Sequence, residues 1–202
     1  MNFRFSETIF LENEAVILQP LVAADAGHLL DIATEDPALL QFSPRQVYTS
    51  ELLTAYIEQA LTLRNNQARY SFSIYSKLAQ CYAGSTSFLN ISNEDDRLEI
   101  GATWIGNRFH GTGLNRHCKY LLLQYAFDTV QAHRVEFKTD ERNLRSRKAI
   151  EKIGGIFEGL LREHTVMYDG HRRNTCCYSI LKDEWVKLKA SFLPDTPEKT
   201  LL

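Results

Sequence analysis

From Thr103 to Gly155 the chain runs strand, glycine turn, helix, strand, helix, and this order constrains the fold more than any other feature. A strand over Leu98–Ile105 enters the turn Arg108-Phe109-His110-Gly111-Thr112-Gly113. In the helix that follows, Leu114, Cys118, Leu121, Leu122 and Tyr125 fall at helical spacing, and Asn115, Arg116, Lys119 and Asp128 are expected to face elsewhere. A second strand, Arg134–Asp140, leads to a helix opened by Asn143 with Ser146 one turn on. Gly154-Gly155 ends that helix where a left-handed cap is expected.

A strand–glycine turn–helix unit is a general device for holding phosphate. Backbone N–H groups left unpaired at the helix start point at the anion, and the helix dipole favours its charge. The expected donors are the N–H groups from Arg108 to Asn115, mainly those of His110, Gly111, Thr112, Gly113 and Leu114. Gly111 and Gly113 let the backbone approach without a Cβ in the way, and the side chains of Arg108 and His110 can add charge. Two other phosphate loops fit less well. Gly106 to Gly111 has P-loop spacing, but Thr112 stands where the lysine that serves the β- and γ-phosphates belongs. A dinucleotide fold wants a glycine where Arg116 lies and an acidic residue further on that is missing. A purely structural turn stays open.

The rest of the chain fits one domain. Its 202 residues are 44% hydrophobic, enough for one full core with little room for a second. Ala15–Pro20 forms a first strand, a helix opens at Ala24 or Asp25, and Glu35-Asp36-Pro37 stops it. After a loop from Leu39 to Val47, a helix from Ser50 carries Leu52, Leu53, Tyr56, Ile57, Ala60, Leu61 and Leu63 on one broad face. Tyr70, Phe72 and Ile74 alternate with serines, the period of a half-buried strand, and Cys81–Ile91 is its hairpin partner. Leu160–Tyr168 and Asn174–Leu181 flank the turn Asp169-Gly170. The domain is expected to cover residues 1–190, followed by a loosely held tail from Ser191 to Leu202.

Composition narrows the partners. A formal net charge of −2 gives no argument for broad binding to nucleic acid or to a membrane surface. No apolar run is long enough to span a bilayer, and the first residues lack a signal-peptide core, so a cytoplasmic protein is expected. Cys81, Cys118, Cys176 and Cys177 form no C-x-x-C pair and are expected to be reduced and packed. The histidines show no metal-ligand spacing, so no metal is expected.

Taken together, the glycine turn, the Asn143 helix and the strand between them resemble the acetyl-CoA-binding core of the GCN5-related N-acetyltransferases, the GNAT family. Within that family the chain is similar to the RimJ/RimL-type ribosomal-protein acetyltransferase branch. Leu98-Glu99-Ile100-Gly101, Glu158-Gly159 to Arg162 with Tyr168-Asp169-Gly170, Tyr178-Ser179-Ile180-Leu181 and Glu184-Trp185 carry that likeness. The resemblance is clear from about Glu99 to Trp185 and looser from Val16 to Ile91.

The family fold implied is α/β (α+β): one domain with a mixed, mostly antiparallel twisted sheet of about seven strands, splayed at the coenzyme site and flanked by about four helices. The turn Arg108–Gly113 would hold the coenzyme pyrophosphate. Asn143 would bond the pantetheine arm, as would backbone N–H groups freed near Trp104 and Ile105. Many members carry a tyrosine acid where this chain has Ile150; in the RimJ/RimL-like branch a serine at the Ser146 position serves the thiolate instead.

The reaction implied is acetyl transfer from acetyl-CoA to a primary amine by direct attack in a ternary complex. A free alkyl amine is mostly protonated at neutral pH, so a base must take its proton. Glu99 is the candidate, with strand alternation placing it beside Gly101 and Thr103 on one face. Arg142, Arg145, Arg147 and Lys148 form a basic cluster that offers charge to the adenosine phosphate, and Phe42, Tyr48 and Trp104 are candidates to line the acceptor cleft. Phe42 to Arg69 holds no dense acidic patch, which disfavours a highly cationic acceptor. Whether the acceptor is a protein N-terminus or a small amine is open, and no residue argues for a homodimer. The competing reading from another class is a non-catalytic module that binds or senses acyl-CoA; a structural domain that has lost the ligand is the third.

Overall fold

The computed structural model describes residues 1–190 and Phe192. Its strands are β1 (Leu11–Glu12), β2 (Val16–Pro20), β3 (Arg69–Ser76), β4 (Cys81–Ser92), β5 (Arg97–Ile105), β6 (Arg134–Asp140), β7 (Ile156–Val166) and β8 (Arg172–Leu181). The helices are α1 (Asp25–Thr34), α2 (Ser50–Asn65), α3 (Leu114–Gln124), α4 (Leu144–Lys152) and α5 (Lys182–Lys189). All eight strands form one sheet in the order β1-β2-β3-β4-β5-β6-β8-β7. Every neighbouring pair is antiparallel except β5 and β6. That parallel pair is joined by the crossover through α3, because two parallel strands cannot be linked by a hairpin.

The architecture is the expected α+β one, with one more strand and one more helix than the sequence pattern indicates. The additions are the two-residue β1 and the short α5. The latter begins where Glu184 accepts the Leu181 N–H at 2.8 Å, and it buries Trp185 against Phe127 with its indole N–H on Asp128. This packing is the physical content of the Glu184-Trp185 motif. Beyond Lys189, Phe192 is buried beside Trp185 and Tyr120; the other residues of the expected tail lie outside those described.

Two packing layers differ from the alternation rule. The serine face of β3 is not solvated, because α2 covers it: Ser71 and Ser73 are buried as fully as Tyr70 and Phe72 on the opposite face. On that opposite face Phe72 and Phe88 pack together, and Phe88 stacks on Tyr125 at the end of α3. In β5 a bulge at Ala102, with φ of 47°, breaks the two-residue period. Glu99 and Gly101 therefore face the α2 side with Leu89, while Thr103 turns to the α3 side, where it meets Thr86 and Lys119. The expected grouping of Glu99, Gly101 and Thr103 on one face is corrected accordingly.

Candidate active site

The parting of β5 from β6 creates the site. Their ladder holds only at Leu98↔Val135 and its two neighbours, ending at Glu99↔Glu136. Further on, β5 stays paired with β4 to Ile105, and β6 stays paired with β8 to Asp140, so the inner edges of both strands lose each other. An inner sheet edge without a partner is a costly arrangement unless something else bonds its backbone groups.

At the end of β5 the glycine turn forms as the sequence implies. Gly111 and Gly113 take φ of 80° and 94°, in the left-handed region that an L side chain resists, and Gly113 caps α3. The N–H groups of His110 and Thr112 are spent inside the turn, on Asn107 and Phe109. Those of Gly111, Gly113 and Asn115 have no partner among the described residues, which leaves three backbone donors at one helix start. The Leu114 N–H makes only a long 3.4 Å bond to the Thr112 hydroxyl, which itself donates to the Phe109 carbonyl.

His110 does not bring charge. One ring nitrogen lies 3.0 Å from the Ile105 carbonyl and the other 2.9 Å from the Arg145 guanidinium, so the first must carry the proton and the second must accept. Burial and the Arg145 cation lower its pKa, and the ring is neutral. The positive charge here belongs to Arg145, from the first turn of α4, and to Arg108, which lies over the Phe109 ring. Of the remaining basic cluster, Arg142 is held by Asp140 in a two-pronged pair and Arg147 by the Tyr178 hydroxyl.

Asn143 caps α4, its side-chain carbonyl accepting the Ser146 N–H at 3.0 Å. This leaves the Asn143 amide group as a donor and the Ser146 hydroxyl with no partner among the described residues. Ile150, at the position where many family members carry tyrosine, is buried in the core.

Glu99 sits on the last rung before the splay and is only 7% exposed. Its Oε2 accepts from the Asn90 amide and from Lys138, both at 2.8 Å. Its Oε1 has no partner among the described residues and lies beside the hollow left by the missing Cβ of Gly101. One oxygen is thus fixed and the other is free to accept a proton. Lys138 also reaches Glu136, at 3.5 Å, and these carboxylates outweigh its burial and raise its pKa.

Four residues near the site escaped sequence reasoning. Lys119, expected to face away from the core, is buried on the α3 side of the splay, 2.9 Å from the Thr103 hydroxyl and 5.8 Å from the centre of the Phe137 ring. Burial pushes its pKa down to about 8. On the α2 side, Arg69 is buried against Tyr56, which packs edge-on to Trp104. The Trp104 indole N–H is buried without a partner among the described residues. Asn90 and Lys138 complete the set. Their types carry no motif; only strand register brings them together.

The loop before α2 reaches the same side. The Phe42 carbonyl accepts from Arg173 at 3.2 Å, and its ring lies under Arg142, while Tyr48 is exposed. An open hollow of about 550 Å³ between Phe5, Val22, Leu61 and Arg64 lies at the far end of α2, away from these groups. All four cysteines are free. Among the described residues no three His, Cys, Asp or Glu side chains are grouped to hold a metal ion, and no helix is long and apolar enough to cross a membrane.

This geometry can be compared with known proteins. The sequence profile of the GNAT acetyltransferase domain matches residues 15–156. A candidate ribosomal N-acetyltransferase of Bacillus subtilis (strain 168), YdaF, is 32% identical over 102 residues, which is 50% of this chain and 55% of YdaF. The chain thus spans little more than half the length of that relative. The crystal structure of a candidate acetyltransferase from T. thermophilus superposes with a TM-score of 0.83 at 34% identity, covering 93% of this chain and 96% of that one. A GCN5-related N-acetyltransferase from Brucella melitensis gives a TM-score of 0.85 at 25% identity, over 94% and 86% of the two chains. The profile match over most of the chain and the shared fold show that this chain belongs to the GNAT acetyltransferase family.

Proposed function

We propose that the chain transfers an acetyl group from acetyl-CoA to a primary amine by direct attack in a ternary complex. One observation carries the reading: β5 leaves β6 just after Glu99 and leads into a turn and helix start with three N–H groups unbonded among the described residues. The same strand thus joins a carboxylate with one free oxygen to a ready anion site.

Acetyl-CoA, when bound, supplies an activated acyl group and a thiolate leaving group. The N–H groups of Gly111, Gly113 and Asn115, with Arg108 and Arg145, would hold its pyrophosphate. The Asn143 amide and the unpaired edge of β5 around Trp104 and Ile105 would hold the pantetheine arm. Glu99 Oε1 would take the proton of the amine, directly or through water, and the Ser146 hydroxyl would donate to the thiolate. The name of YdaF, a candidate ribosomal N-acetyltransferase, favours a protein acceptor over a small amine. The buried Ile150 at the usual tyrosine position favours a second reading, a module that binds acyl-CoA without turnover.

Calorimetric titration of acetyl-CoA, followed by thiol release with amines and peptides, separates the readings. Gly111→Asp and Gly111→Ala both bear the strain of a positive φ, and a Cβ at this position meets no atom within 4 Å, so the pair isolates the added charge. One-site binding lost in the aspartate variant and kept in the alanine variant, with thiol release, supports the transferase. Binding with no thiol release across the panel supports the sensing module, and no binding by the wild type sinks both.

A further inference from the structure

Resting on the acetyltransferase reading, we propose that Arg69 selects the acceptor: its guanidinium receives an oxygen, carboxylate or peptide carbonyl, attached one carbon away from the amine that Glu99 deprotonates. The preferred acceptors are then α-amino-acyl compounds rather than simple alkylamines.

Arg69 is a charge without a counter-charge. It is only 7% exposed, yet among the described residues it forms no salt bridge. Its Nε donates to the Ser87 hydroxyl at 2.9 Å and one terminal nitrogen to the Tyr56 hydroxyl at 2.6 Å, with the Tyr56 ring 5.0 Å from the guanidinium. The remaining nitrogen, Nη1, has no partner among the described residues. Removing a cation from water is expensive, and neutral hydroxyls repay it less well than a carboxylate does. An anionic or strongly polarised oxygen supplied by a ligand would complete the set, and a guanidinium presents its donors in the fork that such oxygens fit.

Strand register places this group opposite the base. Leu89 of β4 pairs with Arg69 on one side and with Glu99 on the other, so both side chains rise on the same face of the sheet. The Tyr56 hydroxyl that accepts from Arg69 donates in turn to the Ala102 carbonyl at 3.4 Å, and Glu99 Oε1 lies beside Gly101. The guanidinium and the free carboxylate oxygen therefore flank the Gly101–Ala102 peptide at the bulge. Ala102 is exposed there, at the mouth of the splay. A small amine lying on this peptide with its nitrogen at Glu99 has its neighbouring oxygen on the Arg69 side. An alkylamine leaves the guanidinium unfilled.

The test compares wild type with Arg69→Met and Arg69→Lys on ethylamine, glycine, glycinamide and a glycine-initiated tripeptide, after thermal unfolding confirms that the variants fold. Taking the wild-type to variant ratio of kcat/KM for each acceptor cancels intrinsic amine reactivity. The expected result is a loss in Arg69→Met at least tenfold greater for the three glycyl acceptors than for ethylamine, carried mainly by KM, with partial recovery in Arg69→Lys. Glycine against glycinamide and the tripeptide tells a free amino acid from a peptide N-terminus. An equal loss across all four acceptors, as a merely structural Arg69 would give, overturns the proposal and leaves the transferase standing. Should the wild type acetylate nothing, titration of N-acetylglycine into the CoA-loaded protein decides the matter separately. Binding that Arg69→Met loses keeps the oxygen site without the transferase, and absence of binding removes both.

Discussion

Lys138 holds Glu99: its Nζ lies 2.8 Å from Oε2 on the last rung that β5 and β6 share. The pair fixes one oxygen of the carboxylate and leaves the other beside Gly101. Glu99→Gln keeps the shape and removes the proposed base, so kcat should fall by about 10²-fold or more with acetyl-CoA affinity little changed. Lys138→Met leaves only the Asn90 amide to hold Oε2, so the carboxylate is free to turn and kcat should fall while acetyl-CoA affinity stays near wild type. An unchanged kcat would detach Lys138 from the positioning of this carboxylate.

Asn143 and Ser146 form an ordinary helix start, in which the side chain of the cap residue accepts the N–H three residues on. The cap uses the Ser146 backbone N–H, so Ser146→Ala leaves the cap intact and should lower turnover while acetyl-CoA affinity and stability stay close to wild type. Asn143→Ala removes the cap itself. It should cost about 1 kcal/mol of stability by denaturant titration and weaken the coenzyme as well. Equal turnover in wild type and Ser146→Ala would take the hydroxyl out of the mechanism.

The parts of the site that were legible in the sequence are local ones. Glycines at 111 and 113, an asparagine before a helix and Gly154 after it each state a backbone conformation within a few residues, and each holds: Gly154 takes φ of 92°. Glu99 stands in a strand motif next to that turn, which is what makes it a candidate from sequence alone. What escaped depends on contacts between distant strands. Arg69 and Glu99 are 30 positions apart and meet only because Leu89 pairs with both. The Ala102 bulge carries no signal, since alanine is not a residue that favours a positive φ. Without the bulge, Thr103 cannot be assigned to the α3 side, and Lys119 has no hydroxyl to reach. The neutral state of His110 likewise rests on Arg145, 35 residues away, which no turn motif includes.

Tyr178 links α4 to the sheet. Its hydroxyl accepts from Arg147 and donates to Glu151, both at 3.0 Å, and its ring is buried against Phe157. Tyr178→Phe keeps the ring and strands both partners, so a loss of about 1–2 kcal/mol is expected in urea unfolding. No measurable loss would mean that solvent satisfies Arg147 and Glu151 equally well.

Lys119 should be a stability liability whose size depends on pH. Its ammonium is buried beside a hydroxyl and an aromatic ring, and burial depresses its pKa from the usual 10.5 to about 8. Below about pH 8 both folded and unfolded chains carry the proton, and the folded state bears the whole cost of the buried charge. Between about 8 and 10.5 the folded chain sheds its proton while the unfolded chain keeps it, so stability rises with pH across that window. Lys119→Met keeps the apolar stem and removes the charge, while Thr103 retains its bond to Thr86. At pH 7 the variant should exceed wild type by about 3 kcal/mol, an upper bound set by the shift at 1.36 kcal/mol per pKa unit. The gap should close as the pH approaches about 10.5, because the wild type no longer buries a charge. Taking the difference between the two proteins at each pH cancels every other titrating group. Equal stabilities at pH 7 would show that the surroundings compensate the ammonium fully, and a gap that persists unchanged at high pH would show that it does not come from the charge.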